Sequence, residues 1–195
     1  MISMNDYEAL AIKIRQTDLL SKDEIEVICN HFYTKVIPKN EFFIESGNRC
    51  SHIGFLLSGI LCSFIYSEEG EEVVKYFVEP DQFFTDLESY EHSQPAKLNI
   101  QSVIDSKILY ISKGDNQDLQ SQIPAWGHVL SIFSSSALNK MIQTQNFLHF
   151  GTAREKYRYF VQHHPNLARH VPLKFIASYL GITQSSLSRL RREKE

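Results

Sequence analysis

The residues with the clearest chemical potential lie in the last 25 positions of the chain, from Val171 to Glu195. Arginine, glutamine and hydroxyl side chains recur there at the spacing of one helix face. Arginine binds guanine O6 and N7 with two hydrogen bonds, glutamine pairs with adenine, and serine and threonine serve bases or phosphates. Such donors on one helix suit a DNA major groove. The candidate contact residues are Thr183, Gln184, Ser185, Ser186, Ser188, Arg189 and Arg192.

Two short helices about a tight turn must position these side chains. The first is predicted over Leu173–Leu180, and Thr183 is predicted to cap the second. Gly181 lies where the chain needs a left-handed conformation, and the small Ala177 lets the helices approach. The inward apolar positions are Ile176, Leu180, Ile182, Leu187 and Leu190. This pattern predicts a DNA-binding helix-turn-helix, with an ordinary helical hairpin as the alternative.

The distribution of charge agrees with a nucleic-acid contact at one end. The chain has 195 residues and a net charge of -3. Residues 154–195 hold nine Lys and Arg against three Asp and Glu, a net charge of +6, which leaves −9 on the rest. An acidic body with a basic tail predicts a polyanion contact confined to the tail, although a solvated basic helix end is the plainer alternative.

Several classes of protein are excluded by composition and motif. Hydrophobic residues make up 43% of the chain and charged residues 22%, which is typical of a globular protein rather than a disordered, collagen-like or membrane-spanning one. The three cysteines, Cys29, Cys50 and Cys62, lack a Cys-x-x-Cys spacing, so neither a disulfide framework nor a four-thiolate metal site is expected. The common nucleotide-binding and hydrolase motifs are absent, so we expect no enzyme. The amphipathic N-terminus is not a signal peptide, and a cytoplasmic location is expected.

Within the first two thirds of the chain, the sequence pattern changes from one typical of helices to one typical of strands. Residues 5–30 are predicted as two short helices, with a capping box from Ser21 to Glu24. From Phe32 to Ile111, seven or eight short strands with no helix between them predict an antiparallel barrel or jelly roll. The predicted strands are Phe32–Ile37, Glu41–Glu45, Ile53–Leu57, Ile60–Tyr66, Glu72–Val78, Leu98–Ile104 and Ile108–Ser112.

A long helix is predicted from Pro124 to about Phe150. Its apolar stripe is longer than a small barrel needs, so a second copy of the helix is the expected partner. The alternative is a helix that packs only on its own barrel. The residues predicted for the dimer contact are Trp126, Leu130, Phe133, Ala137, Met141 and Leu148.

These pieces together resemble the Crp/Fnr superfamily of bacterial transcription regulators over nearly the whole chain. The resemblance rests on Phe55-Leu-Leu-Ser-Gly-Ile-Leu-Cys, on Glu68-Glu-Gly-Glu-Glu and on the two helices of the C-terminal motif. Ile176-Ala-Ser-Tyr-Leu-Gly-Ile-Thr and Leu187-Ser-Arg-Leu-Arg are similar to the compact form frequent in Bacteroidetes. The resemblance implies base contacts at Gln184, Ser185 and Arg189. The short link from His163 to Pro172 implies a reduced or missing wing.

The implied fold is α+β. An antiparallel β-roll of the cyclic-nucleotide-binding type, flanked by helices, would occupy residues 1–123 as the sensor. Residues 124–150 would form the dimerisation helix, and residues 151–195 a small all-α helix-turn-helix domain. The implied partners are double-stranded DNA with a palindromic operator, a second copy of the chain and RNA polymerase, with no membrane.

The sensor pocket is where the chain departs from the family pattern. Cyclic-nucleotide-binding members carry Gly-Glu-Leu and, further on, Arg-Ser/Thr-Ala; here residues 83–87 read Phe-Phe-Thr-Asp-Leu and residues 94–99 read Gln-Pro-Ala-Lys-Leu-Asn. Without the bidentate arginine we expect no cAMP binding. The pocket then either binds another small molecule or is filled by its own phenylalanines, and Asp86 is either a ligand contact or a solvated turn carboxylate. The candidate pocket residues are Phe84, Thr85, Asp86, Lys97 and Asn99.

The sequence therefore predicts a homodimeric, sequence-specific DNA-binding regulator with an unknown effector, and neither a metal nor a cofactor. The alternative is a small-ligand-binding signalling module that acts through protein–protein contacts of its tail. A roll-fold enzyme would require a bound metal, for which no His-x-His pair is present.

Overall fold

The computed structural model describes residues 4–192, which fold into helices around one antiparallel sheet. Two helices come first: α1 (Met4–Arg15) and α2 (Lys22–Asn30). The sheet region follows: β1 (Tyr33–Ile37), β2 (Phe42–Ile44), β3 (His52–Tyr66), β4 (Glu72–Val78), β5 (Phe83–Phe84), α3 (Leu87–His92) and β6 (Asn99–Ser112). The remaining elements are helical: α4 (Lys113–Gln122), α5 (Pro124–Phe150), α6 (Ala153–His163), α7 (Pro165–His170), α8 (Leu173–Leu180) and α9 (Gln184–Arg192).

The β-roll, formed by β1 to β6, is built on two long strands. The main path of the sheet runs β1-β6-β3-β4, while β2 also pairs with β6 and β5 with β3. All pairings are antiparallel, which confirms the predicted α+β class with an antiparallel sheet. Strand β4 lies at one edge of this path, so one side of its backbone faces away from the sheet.

Two of the predicted strand breaks are wrong. Ile53–Leu57 and Ile60–Tyr66 belong to the single strand β3, and the two predicted strands after Leu98 belong to β6. The apparent break at Ser58-Gly59 is a bulge, where the register between β3 and β6 shifts. Gly59 has φ +104, and a Cβ there would meet the Ser106 Oγ at 2.1 Å, so only glycine fits. The turn-forming residues therefore bend the strands without ending them.

The expectation of a helix-free strand region is also wrong. Helix α3 lies between β5 and β6, and its N-terminus is capped by Asp86, whose carboxylate accepts the Ser89 N–H at 3.0 Å. The hydrophobic periodicity of six residues is too short to predict a helix. The predicted capping box at Ser21 and Glu24 is present on α2.

A first core lies between the β-roll and helices α1, α2, α4 and the start of α5. Trp126 is fully buried in it, and its indole N–H donates to the Asn116 Oδ1 at 2.9 Å. The Asn116 amide in turn donates to the Tyr90 hydroxyl at 3.0 Å. This hydrogen-bonded chain fixes the first turns of α5 on their own roll.

A second core joins the outer surface of the roll to the C-terminal helices. From the roll it takes Ile60, Cys62, Phe64, Val74 and Val103. From the helices it takes Leu148, Phe160, Leu167, Val171, Phe175, Ile176, Ala177, Leu180 and Leu187. Helices α6 to α9 therefore pack on the roll of their own chain rather than standing apart from it.

No helix among the described residues is long and apolar enough to cross a membrane. Within residues 4–192, no group of three or more His, Cys, Asp or Glu side chains has a metal-binding arrangement.

Candidate nucleic-acid interface

Helices α8 and α9 meet at the tight turn that the sequence predicts. Gly181 adopts φ 63 and ψ 37, the left-handed conformation that ends α8. The Ile182 N–H bonds back to the Ala177 carbonyl at 3.0 Å, which closes the turn. Ile176, Ala177 and Leu180 of α8 and Leu187 of α9 are buried as predicted, whereas the predicted inward residues Ile182 and Leu190 are half-buried.

Thr183 begins α9 as its cap. Its hydroxyl oxygen accepts the Ser186 N–H at 3.2 Å and its carbonyl accepts the Leu187 N–H at 3.0 Å. The hydroxyl also contacts the Ser185 and Ser186 hydroxyls at 3.0 and 2.8 Å. The side chains of this first turn are thus ordered by one another, and the positive end of the α9 dipole points outward.

The outward face of α9 carries the predicted contact residues. Leu187 is fully buried and anchors the helix, while Thr183, Gln184, Ser185, Arg189 and Arg192 are exposed. Ser186 and Ser188 are half-buried, so their hydroxyls are less accessible than predicted. Neither Arg189 nor Arg192 has a partner among residues 4–192. The two guanidinium groups are therefore donors without acceptors among the described residues, whereas the Thr183, Ser185 and Ser186 hydroxyls contact one another.

The segment that leads to α8 is helical. Thr152 caps α6 with a capping box to Glu155, and the short helix α7 occupies the link from His163 to Pro172. Residues 151–192 contain no strand, in agreement with the predicted loss of the wing over this range.

The middle of the long helix α5 is not covered by the rest of the described chain. Every residue from Ser134 to Gln143 is exposed. Three of them have large apolar side chains: Leu138 is 58% exposed, Met141 39% and Ile142 50%. An isolated apolar stripe on an exposed helix needs a partner to be covered. The predicted Ala137 and Met141 lie on this stretch, and Leu130 and Phe133 are half-buried against the first core.

Two residues predicted for the dimer contact need correction. Trp126 lies in the first core and Leu148, 8% exposed, in the second, so both are covered by their own chain. The apolar periodicity of α5 is continuous, so it does not distinguish the two ends, which pack on the cores, from the exposed middle. Leu138 and Ile142 widen the apolar stripe in the sequence but are not among the six residues predicted for the dimer contact, and both are exposed in the middle of α5.

The candidate sensor pocket is organised around Asp86. This carboxylate is 5% exposed, which rules out a solvated turn. One oxygen accepts the Ser89 N–H at 3.0 Å and the other accepts the Lys97 N–H at 3.2 Å. Both oxygens therefore hold α3 and the loop that follows it, and this role competes with a ligand contact.

The other predicted pocket residues are also engaged within the protein. The Lys97 ammonium pairs with the Glu88 carboxylate at 2.7 Å on the surface, where their side chains are 73% and 53% exposed. The Thr85 hydroxyl donates to the His52 carbonyl at 2.9 Å. Phe84 packs over Gly54 and against Phe43, so its ring fills the roll.

Asn99 retains unused hydrogen-bonding capacity. Its Oδ1 accepts the Ser46 N–H at 2.9 Å, whereas its buried Nδ2 has no partner among the described residues. Nearby, burial raises the pKa of Tyr76 to about 12, with a smaller contribution from Asp86. Tyr76 was not predicted from the sequence, because a tyrosine in a strand gives no local sign of the group it faces.

Comparison with known proteins gives a match of one segment to a family model and a shared fold. Residues 34–122 match the family model of the cyclic nucleotide-binding domain. No curated protein sequence matches the chain significantly. The solved structures that resemble it include FixK2 from Bradyrhizobium japonicum, with a TM-score of 0.73, 16% identity and 83% coverage of both chains.

Two further structures extend this likeness. The c-di-GMP-responsive global regulator CLP from Xanthomonas campestris gives a TM-score of 0.69 at 14% identity, over 89% of this chain and 91% of CLP. A candidate transcriptional regulator of the Crp/Fnr family from Eubacterium rectale gives 0.70 at 14% identity, over 91% of this chain and 84% of that one. At these identities the likeness establishes the fold, which extends beyond the roll into the C-terminal helices.

Proposed function

We propose that this chain is a homodimeric, sequence-specific DNA-binding transcription regulator of the Crp/Fnr type. In this proposal, α9 enters the major groove, α8 crosses the DNA backbone, and the β-roll is the sensor. The observation that carries the proposal is the outward face of α9, where Gln184, Ser185 and Arg189 are exposed on a helix anchored by Leu187. The net charge of +6 on residues 154–195 supports it, because phosphate contacts supply most of the affinity for DNA.

The exposed middle of α5 supports a dimer. The two ends of α5 pack on their own chain, and its exposed middle is free to pack against a second copy. A dimer reads two half-sites about 34 Å apart, so a palindromic operator follows from the two-fold symmetry.

The proposed effector is a molecule other than cAMP. A cyclic phosphate needs a fixed cationic fork, and the only cation among the five candidate pocket residues is Lys97, which is exposed and paired with Glu88. Asp86 is occupied as a cap. Regulation requires that the effector bind one arrangement of the two reading helices better than the other.

The test is DNA binding by the wild type and by Arg189→Ala. Duplexes selected from a random-sequence library by the wild type serve as probes, and binding is measured by fluorescence anisotropy. Loss of a bidentate base contact should weaken specific binding by about 1–3 kcal/mol. Arg15→Ala is the matched control, because Arg15 is also exposed but lies on α1.

Two results would contradict the proposal. One is a wild type that selects no sequence above random DNA at low salt. The other is an equal loss of affinity for both arginine variants, which would reduce Arg189 to a general charge. Salt separates the proposal from the protein-binding alternative, because DNA affinity falls steeply with salt whereas an apolar contact through the tail does not.

A further inference from the structure

A single hydroxyl of helix α8, that of Ser178, makes both hydrogen bonds with the exposed edge of β4. The Val74 N–H donates to the Ser178 Oγ at 2.9 Å, and the same Oγ donates to the Glu72 carbonyl at 3.0 Å. These two backbone groups point out of the sheet on the same side, since they belong to residues two apart on one strand. Ser178 thus occupies the position of a neighbouring strand.

A charged contact beside this hydroxyl holds the first turn of α8. The Lys174 ammonium pairs with the Glu72 carboxylate at 2.6 Å, with side chains 56% and 27% exposed. Farther along β4, Tyr179 of α8 packs on Phe77 at 5.2 Å between ring centroids. Just past the end of β4, His164, which precedes α7, contacts the Glu79 carboxylate at 2.8 Å. The contact between α8 and β4 therefore combines hydrogen bonds, an ion pair and an aromatic contact between Glu72 and Phe77.

The same contact lies beside the expected path of DNA. The first helix of a helix-turn-helix crosses the phosphate backbone, and α8 is that helix in the proposed function. The ammonium of Lys174, in the first turn of α8, could pair with a phosphate, but it is already paired with the Glu72 carboxylate. The turn between β3 and β4 adds three exposed carboxylates within four residues of Glu72: Glu68, Glu69 and Glu71.

The acidic turn owes its shape to the backbone and to one hydroxyl. The Ser67 N–H bonds to the Glu71 carbonyl at 2.9 Å, and the Ser67 Oγ accepts the N–H groups of Glu69 and Glu71, both at 3.2 Å. All three carboxylates are exposed, and a hydrogen bond from the Ser67 side chain lowers the pKa of Glu69. Their charges therefore remain available to repel a phosphate within about a Debye length.

We propose that the docking of α8 on β4 is an autoinhibitory contact that weakens DNA binding in the arrangement described. It rests on the proposed DNA-binding function. The contact withholds Lys174 from the phosphates and keeps the carboxylates of the β3–β4 turn close to the first turn of α8. Full affinity requires that Lys174 leave Glu72.

The first test is Glu72→Gln, with Glu88→Gln as the matched control. Both variants change the net charge equally and remove one ion pair of the roll, but Glu88 pairs with Lys97 instead of Lys174. Binding is measured on a random-sequence duplex of about 30 base pairs across a salt series. If Lys174 gains one phosphate, the slope of log K against log salt should steepen by about 0.9, and affinity at ~0.1 M salt should rise about eightfold.

A double-mutant cycle tests whether the gain passes through Lys174. Lys174→Met should cost little affinity in the wild type, where Glu72 neutralises the ammonium. In the Glu72→Gln background it should cancel the gain, so that the two changes are strongly non-additive. Thermal unfolding of each variant identifies any loss of affinity that arises from loss of the fold.

A second variant removes the repulsion and leaves α8 docked. Replacing Glu68, Glu69 and Glu71 by glutamine should raise affinity roughly threefold at ~0.1 M salt, with the gain fading at higher salt. The control triple variant makes the same change of net charge on α1, α2 and α4 through Glu8→Gln, Glu26→Gln and Asp118→Asn.

The outcomes separate the two proposals. If the wild type binds DNA and neither Glu72→Gln nor the triple variant binds more tightly than its control, the autoinhibitory contact is refuted and the proposed function stands. If Glu72→Gln weakens binding, the contact supports the reading helices and the inference is reversed. If no form of the protein binds duplex DNA in a salt-dependent way, the proposed function itself fails.

Discussion

The exposed middle of α5 makes the most direct prediction, which is that Leu138→Ala weakens the dimer. Leu138 is 58% exposed in one copy of the chain. Full burial of a leucine side chain contributes about 2 kcal/mol, so covering the exposed part contributes about 1 kcal/mol per copy. The two copies together lose roughly 2 kcal/mol on truncation, which corresponds to about a thirtyfold rise in the dimer dissociation constant.

Sedimentation equilibrium over a range of protein concentrations measures this dissociation constant. The control is Leu19→Ala, because Leu19 is 45% exposed but lies in the loop between α1 and α2. The truncation itself should leave the helix intact, since alanine has the higher helix propensity. A wild type that stays monomeric at every concentration would refute the reasoning, as would a dissociation constant that responds equally to both variants.

Four further predictions follow from the roll and its surroundings. Gly59→Ala should lower the free energy of unfolding by at least about 2 kcal/mol in urea melts, because φ is +104 and the Ser106 side chain blocks a Cβ. Burial raises the pKa of Tyr76 and of Tyr179 from 10.0 to about 12, so this contribution to stability is complete below pH 10 and is lost as the pH rises to 12. Urea melts at about pH 9 and about pH 11 should show that loss, and a variant with phenylalanine at both positions should lose less. Addition of cAMP at about 1 mM should leave the Tm unchanged, whereas a rise in Tm would show a binding site that Lys97 and Asp86 do not explain. The three cysteine thiols are buried, so a thiol reagent should label them only after unfolding.

The elements with strong local signals could be predicted from the sequence. Ser21 with Glu24, Thr152, Pro124 and Gly181 each fix a helix end through a hydrogen bond or a dihedral angle that the residue itself determines. The strand breaks could not be predicted in this way. Gly59 is a turn residue by type, but its role as a bulge depends on Ser106, which lies 47 positions farther along the chain.

In the candidate site too, local patterns could be predicted from the sequence, whereas contacts between distant residues could not. The outward and inward faces of α9 follow from helical periodicity, and Leu187 and Arg189 lie as predicted. Three polar contacts could not be predicted in this way. Asp86 caps a short helix that has no periodicity, and the ion pair of Lys97 and the contact of Ser178 with β4 depend on partners that are distant in sequence. Sequence patterns specify which face a residue occupies, and tertiary contacts decide whether its polar group is still free.

The hydroxyl of Ser178 has a consequence for the solubility of the protein. An uncovered strand edge is a template on which another chain adds a strand. While α8 is docked, the outward N–H of Val74 and C=O of Glu72 are both occupied. Release of α8 would open this edge, and Glu72 and Lys75 would then be the charged residues within β4 that discourage pairing between molecules. The surface that restrains the reading helices thus also protects the sheet from self-association, so the released form is the one that must bind DNA or redock before it meets another copy.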